Sequence, residues 1–150
     1  MTDMQYGPRR PGCYGAYENA VQSRAALTEE AARGLAGRYD VCSLSRNAYS
    51  LLLCDLRNAG FITTQEFSAG YGGTLPRGAA LEPPEPFPLG DNQADFTALL
   101  EQYAQYCSEV RRLVRNGPER AHVKSLMSTY SRLHTLFEQI HEAASEAGEK

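Results

Sequence analysis

The residues best spaced for chemistry lie between Asp55 and Glu66, within the stretch LLLCDLRNAGFITTQEF. Counted as a calcium loop, Asp55 stands at position 1, Gly60 at 6, Ile62 at 8, Thr63 at 9 and Glu66 at 12. These match the first ligand, turn glycine, core aliphatic, water-side ligand and bidentate glutamate of an EF-hand. Positions 3 and 5 carry Arg57 and Ala59 instead of oxygen ligands, so the shell is incomplete and a guanidinium faces the ion. The same letters also spell helix punctuation. Gly60 suits a left-handed stop, Thr63 with Glu66 forms a capping box, and Ile62 with Phe67 forms its hydrophobic staple. Structure rather than metal is the expectation here.

Other candidates are dispersed. The histidines are His122, His134 and His141. The last two are two helical turns apart, about 10 Å, and cannot share a metal without another helix. They flank an apolar stripe, where a histidine packs its ring and wets its tip. Cys13, Cys42, Cys54 and Cys107 contain no CxxC pair and are expected as free thiols, with Cys54 and Cys107 acting as small hydrophobes. There is no GxSxG, no cysteine next to a histidine, no P-loop and no dinucleotide fingerprint, so neither catalysis nor a cofactor or metal is expected. One charge cluster stands out: Arg111, Arg112, Arg115, Arg120, His122 and Lys124. It is a candidate anion patch, or else a solvated helix end answering the dipole.

These residues depend on helices for their positions. Thr28 with Glu29 and Glu30 starts a short helix to about Arg38, with Ala31, Leu35 and Ala36 inward. Ser45 caps the next, whose Ala48, Tyr49, Leu52, Leu53 and Leu56 form one face up to the Gly60 stop. The helix after Thr63 is expected to be cut short by Gly70, Gly72 and Gly73. Five prolines between Pro76 and Pro88 make 71–91 a linker, or a strap lying over a groove. A PxxP segment at Pro83–Pro86 has acidic flanks that weaken it as a recognition ligand.

The strongest periodicity follows. Asp91 or Asn92 is expected to cap a helix to about Asn116, with Phe96, Leu99, Leu100, Tyr103, Tyr106, Cys107, Val110, Leu113 and Val114 inward. Gly117-Pro118 then turns the chain into a helix from Glu119 to about Ala147. Its inward set is Val123, Leu126, Tyr130, Leu133, Phe137, Ile140 and Ala144. So tight a turn predicts an antiparallel hairpin with arms of roughly 35–42 Å each.

A length of 150 residues and 42% hydrophobic content fit one ordinary domain. The formal charge of −3 argues against nucleic acid as a partner. No apolar run approaches the roughly 18–20 residues that span a bilayer. The opening MTDMQYGPRRPGCYG lacks a signal-type apolar region, so a cytoplasmic location is expected.

Leu52, Leu53, Leu56, Ala59-Gly60, Ile62-Thr63, Glu66 and Phe67 resemble the short helical hairpin of bacterial SHOCT-type domains, across about a seventh of the chain. That resemblance implies an oligomerisation or interaction element and carries no catalytic residues. The remainder is similar to small bacterial proteins of unassigned function, which implies no activity. The expected fold is all-α: an arm over 1–16, short helices over 17–70, the proline-rich segment over 71–91 and a helical hairpin over 92–147, with 71–91 able to join both halves into one domain. The expected function is a non-enzymatic protein–protein interaction or assembly module. Its motive is a hairpin stripe wider than the two arms can bury between themselves, with Leu99, Tyr106 and Leu136 as candidate contact residues for a protein partner or a second copy. The alternative is a regulatory ligand binder, with calcium at 55–66 or an anion at Arg111, Arg112, Arg115, Arg120 and Lys124.

Overall fold

Four helix starts are set by a side chain that accepts an otherwise orphaned amide. A computed structural model describes residues 25–76, 81–115 and 117–148, so the arm expected over 1–16 lies outside the described residues. The start of the unit expected over 17–70, residues 17–24, also lies outside them. Thr28 accepts from the Ala31 amide at 3.1 Å and opens α1 (Glu29–Ala36). Ser45 accepts from Ala48 at 3.2 Å and opens α2 (Arg46–Asn58). Thr63 accepts from Glu66 at 3.0 Å while the Glu66 carboxylate accepts from the Thr63 amide at 2.9 Å, a complete capping box ahead of α3 (Thr64–Gly72). Asp95 accepts from Ala98 at 3.1 Å and opens α4 (Phe96–Leu113). The last helix is α5 (Gly117–Gly148).

The turn between α2 and α3 is a Schellman stop. Gly60 adopts φ +86°, the Phe61 amide donates to Leu56 O at 2.9 Å and the Gly60 amide donates to Arg57 O at 3.0 Å.

Several boundaries differ from expectation. Neither Asp91 nor Asn92 caps α4. They sit in a turn after Gly90 (φ +62°), and the chain then forms a two-residue strand, β2 (Gln93–Ala94), against β1 (Leu44–Ser45). The pairing is antiparallel, Leu44 opposite Ala94 and Ser45 opposite Gln93, and postpones the helix to Phe96. α1 stops at Ala36 rather than Arg38, with Gly37 as its C-cap. Gly70 does not end α3. The helix runs through it to Gly72, and Gly73 takes the left-handed cap at φ +62°.

Gly70 has a packing role. A Cβ there would lie 2.5 Å from Leu133 Cδ1, so the missing side chain is what lets α3 approach α5.

α4 and α5 form the expected antiparallel hairpin, but its arms are unequal. At 1.5 Å rise per residue, the 18 residues of α4 span about 27 Å and the 32 of α5 about 48 Å. The overhang of α5 packs on α1, burying Ala32 and Leu35 with Ile140 and Ala143. Facing a different neighbour shifts the inward face by one residue, so Ala143 is buried and Ala144, expected inward, is exposed. Leu113 also departs from its expected inward place: it lies in the last turn of α4 and is 58% exposed.

The stripe that motivated a partner is covered from within the chain. Leu99, Tyr106 and Leu136 are only 8%, 9% and 0% exposed, so they are core residues and not a contact surface. Short helices cover part of the stripe, and the proline-rich segment covers the rest. Phe87 of that segment is buried between Tyr49, Phe96 and Tyr103, with ring centroids 5.0 Å from each. Tyr49 stacks on Phe96 at 4.3 Å, and Tyr103 meets Tyr130 edge-on at 5.3 Å. One apolar cluster therefore runs through α1, α2, the segment, α4 and α5.

Four tyrosine hydroxyls fasten the end of α3 and the chain that follows it. Tyr49 donates to Gly70 O at 2.8 Å, Tyr130 to Thr74 O at 2.7 Å, Tyr106 to Pro76 O at 2.9 Å and Tyr103 to Glu85 O at 2.8 Å. A proline-rich backbone has few amides to pair with, and these phenols satisfy both its carbonyls and their own buried tips. Arg46 adds a cation at the C-terminal end of α3. Its guanidinium donates to Tyr71 O and lies 4.9 Å from the Tyr71 ring centroid and 5.1 Å from that of Phe87.

Candidate functional site

The loop from Asp55 to Glu66 is occupied by structural work. Asp55 Oδ2 accepts the Tyr39 hydroxyl at 2.6 Å and lies 3.3 Å from Arg38 Nη1. Burial, then the bond to Asp55, pushes the Tyr39 hydroxyl up to about 12. Arg57 lies over the Phe67 ring at 4.2 Å, and the Glu66 carboxylate serves the capping box. Arg132 of α5 donates to Phe61 O at 3.2 Å, tying the turn to the hairpin. The fold thus uses both acids of the calcium reading as helix and turn partners. Among the described residues no three of His, Cys, Asp and Glu converge on a point fit for a metal ion.

The hairpin tip is where the remaining charge gathers. Between Glu109 and Lys124 lie five basic residues and two acids, in a chain of formal charge −3. Arg111 and Arg112 occupy the last turn of α4, where a cation favours the carbonyl end of the dipole. Arg112 Nη1 lies 3.3 Å from Glu109 Oε2, an exposed pair that holds little energy. Arg115, Arg120 and Lys124 are exposed. Arg120 and Lys124 sit in the first two turns of α5, where their charge adds to the positive end of that dipole instead of answering it. Leu113 stands among them. An exposed aliphatic with arginines close to it in sequence suits an anionic surface that also offers an apolar contact.

A pair that spacing could not reveal lies at the opposite end of α5. Cys42 Sγ is 3.5 Å from His141 Nδ1, across 99 residues of sequence. Cys42 is partly buried in the turn after α1, where its amide donates to Asp40 Oδ1 at 3.1 Å. Burial, then the charges of Asp95 and Asp40, hold its thiol above the ordinary cysteine value. The buried Thr97 hydroxyl lies beside the sulfur and has no conventional hydrogen-bond partner. A cleft of about 350 Å³ opens on the His141 side of the pair, lined by Tyr39, Asp40, Val41, Ile140 and His141 but not by Cys42 itself.

The other residues have plainer places. His134 Nε2 lies 3.7 Å from Glu138 Oε2 one turn on, and His122 is exposed near the tip. Cys107 is fully buried, which pushes its thiol up to about 11, and Cys54 is partly buried. No helix among the described residues is long and apolar enough to cross a membrane. Comparison with family models, with characterised proteins and with solved structures gives no match to this chain.

Proposed function

We propose that this protein is a non-enzymatic interaction module, and that the tip of the α4–α5 hairpin is its docking surface for an acidic protein segment. The observation carrying this reading is Leu113, 58% exposed in the last turn of α4, with Arg112, Arg115, Arg120 and Lys124 near it in sequence. With Leu99, Tyr106 and Leu136 inside the core, the tip is a place where apolar exposure and an excess of positive charge coincide. Guanidinium groups suit carboxylates because their forked donors match two oxygens at once. The positive end of α5 adds its field to theirs. No turnover is part of this reading.

The test uses the full chain and a labelled peptide of alternating glutamate and leucine, followed by fluorescence anisotropy. Binding should weaken steeply with added salt, because exposed charges are screened within about 10 Å at 0.1 M. The double change Arg115→Glu and Arg120→Glu should abolish it. Leu113→Ser should weaken it without changing the salt slope, since that residue contributes area and no charge. Binding that ignores both salt and charge reversal would reject the tip as the site. Equal affinity for leucine-free polyglutamate or polyphosphate would replace the protein partner with a simple polyanion.

A further inference from the structure

We propose that Cys42 is a thiol-exchange site, with His141 as its base, that accepts cationic or neutral disulfides in preference to anionic ones. The proposal is independent of the hairpin tip. It rests on three placements: Sγ within 3.5 Å of Nδ1, a cleft of about 350 Å³ walled by His141 and by Val41 next to Cys42, and two carboxylates, Asp40 and Asp95, near the sulfur.

The pair is built by the fold. The bridge of β1 to β2 fixes the turn that carries Cys42, and Phe96 N donates to Val41 O at 3.1 Å, anchoring the neighbouring residue. His141 comes from the overhang of α5 that α1 covers. With the ring proton on Nε2, Nδ1 accepts from the thiol. Near neutrality the carboxylates and partial burial keep the sulfur protonated, so little free thiolate is present to attack unaided. A neighbouring imidazole removes that obstacle by taking the proton within the step.

The exchange balances without any other reagent than the disulfide, which is the oxidant. Nδ1 takes the proton from Cys42 Sγ as the sulfur attacks one sulfur of the disulfide. The Cys42–S–S–R bond forms and the original S–S bond breaks. The departing thiolate then takes the proton back from the imidazolium, leaving a mixed disulfide and one free thiol. A thiolate of high proton affinity is also the stronger nucleophile once formed. Asp40 and Asp95 repel an incoming anion from the sulfur they flank. The cleft starts at His141 and at Val41, the residue before Cys42, within reach of the retained half of the reagent.

The experiment uses the full chain carrying Cys13→Ser, so that Cys42, Cys54 and Cys107 are compared directly. Cystamine, a dication, and glutathione disulfide, an anion, are supplied separately at equal concentration. Adducts are followed by intact mass and located by peptide mapping. Cys42 should be modified first, and faster by cystamine than by glutathione disulfide, by roughly an order of magnitude at low salt. His141→Gln should slow the Cys42 reaction by about tenfold or more while Cys54 keeps its rate and the thermal melt is unchanged. Added free imidazole should restore part of the lost rate in that variant. Asp40→Asn should narrow the preference between the two reagents. Faster modification of Cys54, a preference for the anion, or an unchanged rate in His141→Gln would each overturn the proposal.

Discussion

Thr63 and Glu66 show how a residue pair can imitate one chemistry while performing another. Their reciprocal bonds satisfy two amides that the start of α3 would otherwise leave orphaned. Thr63→Ala should therefore cost about 0.5–2 kcal/mol, read as a lower urea midpoint, and by the same amount with or without calcium. A loss confined to calcium-containing buffer would instead mark the loop as a metal site. Two glycines provide a second contrast. Gly34 lies inside α1, and a Cβ there meets nothing within 4 Å. Gly34→Ala should stabilise by about 0.5–1 kcal/mol through helix propensity and a less disordered unfolded chain. Gly70→Ala gains the same propensity but drives its methyl into Leu133, which is fully buried and has little room to move. Overpacking of about 1–3 kcal/mol should exceed that gain, so the variant unfolds at lower denaturant. Equal shifts of the same sign for the two variants would contradict the close approach of α3 to α5.

At the level of elements, caps and periodicity were legible and long-range pairing was not. Ser45, Gly60, Thr63 and Glu66 act locally, within four residues of the backbone groups they serve, so their roles could be read from neighbouring letters. The start of α4 was misplaced because the bridge between Leu44–Ser45 and Gln93–Ala94 is made across some fifty residues. A separation of 99 residues hid Cys42 from His141, and no spacing signal could have joined them. The tip arginines were legible because one tight turn brings their helices together. The covered stripe, by contrast, was readable as apolar but not as covered. A signal for the cover did exist. Tyr103, Tyr106 and Tyr130 fall on inward positions, buried phenols need acceptors, and a proline-rich segment offers unpaired carbonyls. Tyr130→Phe should remove the bond to Thr74 O and cost about 0.5–1.5 kcal/mol while leaving α5 helical. Limited proteolysis should then cut between residues 73 and 90 faster than in the unmutated chain. An unchanged cleavage rate would mean that the Tyr103 and Tyr106 bonds and the buried Phe87 secure the segment without Tyr130.

For the molecule as a whole, Tyr39, Tyr49, Tyr103 and Tyr130 set the alkaline limit of stability. Burial pushes Tyr39 and Tyr103 up to about 12 from the ordinary value near 10, and raises Tyr49 and Tyr130 well above that ordinary value. An unfolded chain releases these protons near pH 10, whereas the folded chain retains them. Their contribution is therefore complete below pH 10 and declines as pH rises through about 12 and beyond. Circular dichroism should show unfolding within that window, and phenolate absorbance near 295 nm should rise together with it for the buried tyrosines. Full ionisation of all nine tyrosines at pH 10.5 with the helices intact would show that these hydroxyls are not held by the fold.

The fastening of the strap also has a consequence for divergence among descendants of this chain. Its acceptors are main-chain carbonyls at Thr74, Pro76 and Glu85, and a carbonyl is supplied by any residue type. The donors, in contrast, are side chains fixed at three helical positions. The letters at Thr74, Pro76 and Glu85 are therefore free to drift while these bonds are kept, provided no helix or strand is encoded there. The heritable mark of the arrangement is the spacing of Tyr103, Tyr106 and Tyr130 along helices, with Phe87, Leu75 and Leu81 as apolar anchors that the strap itself contributes.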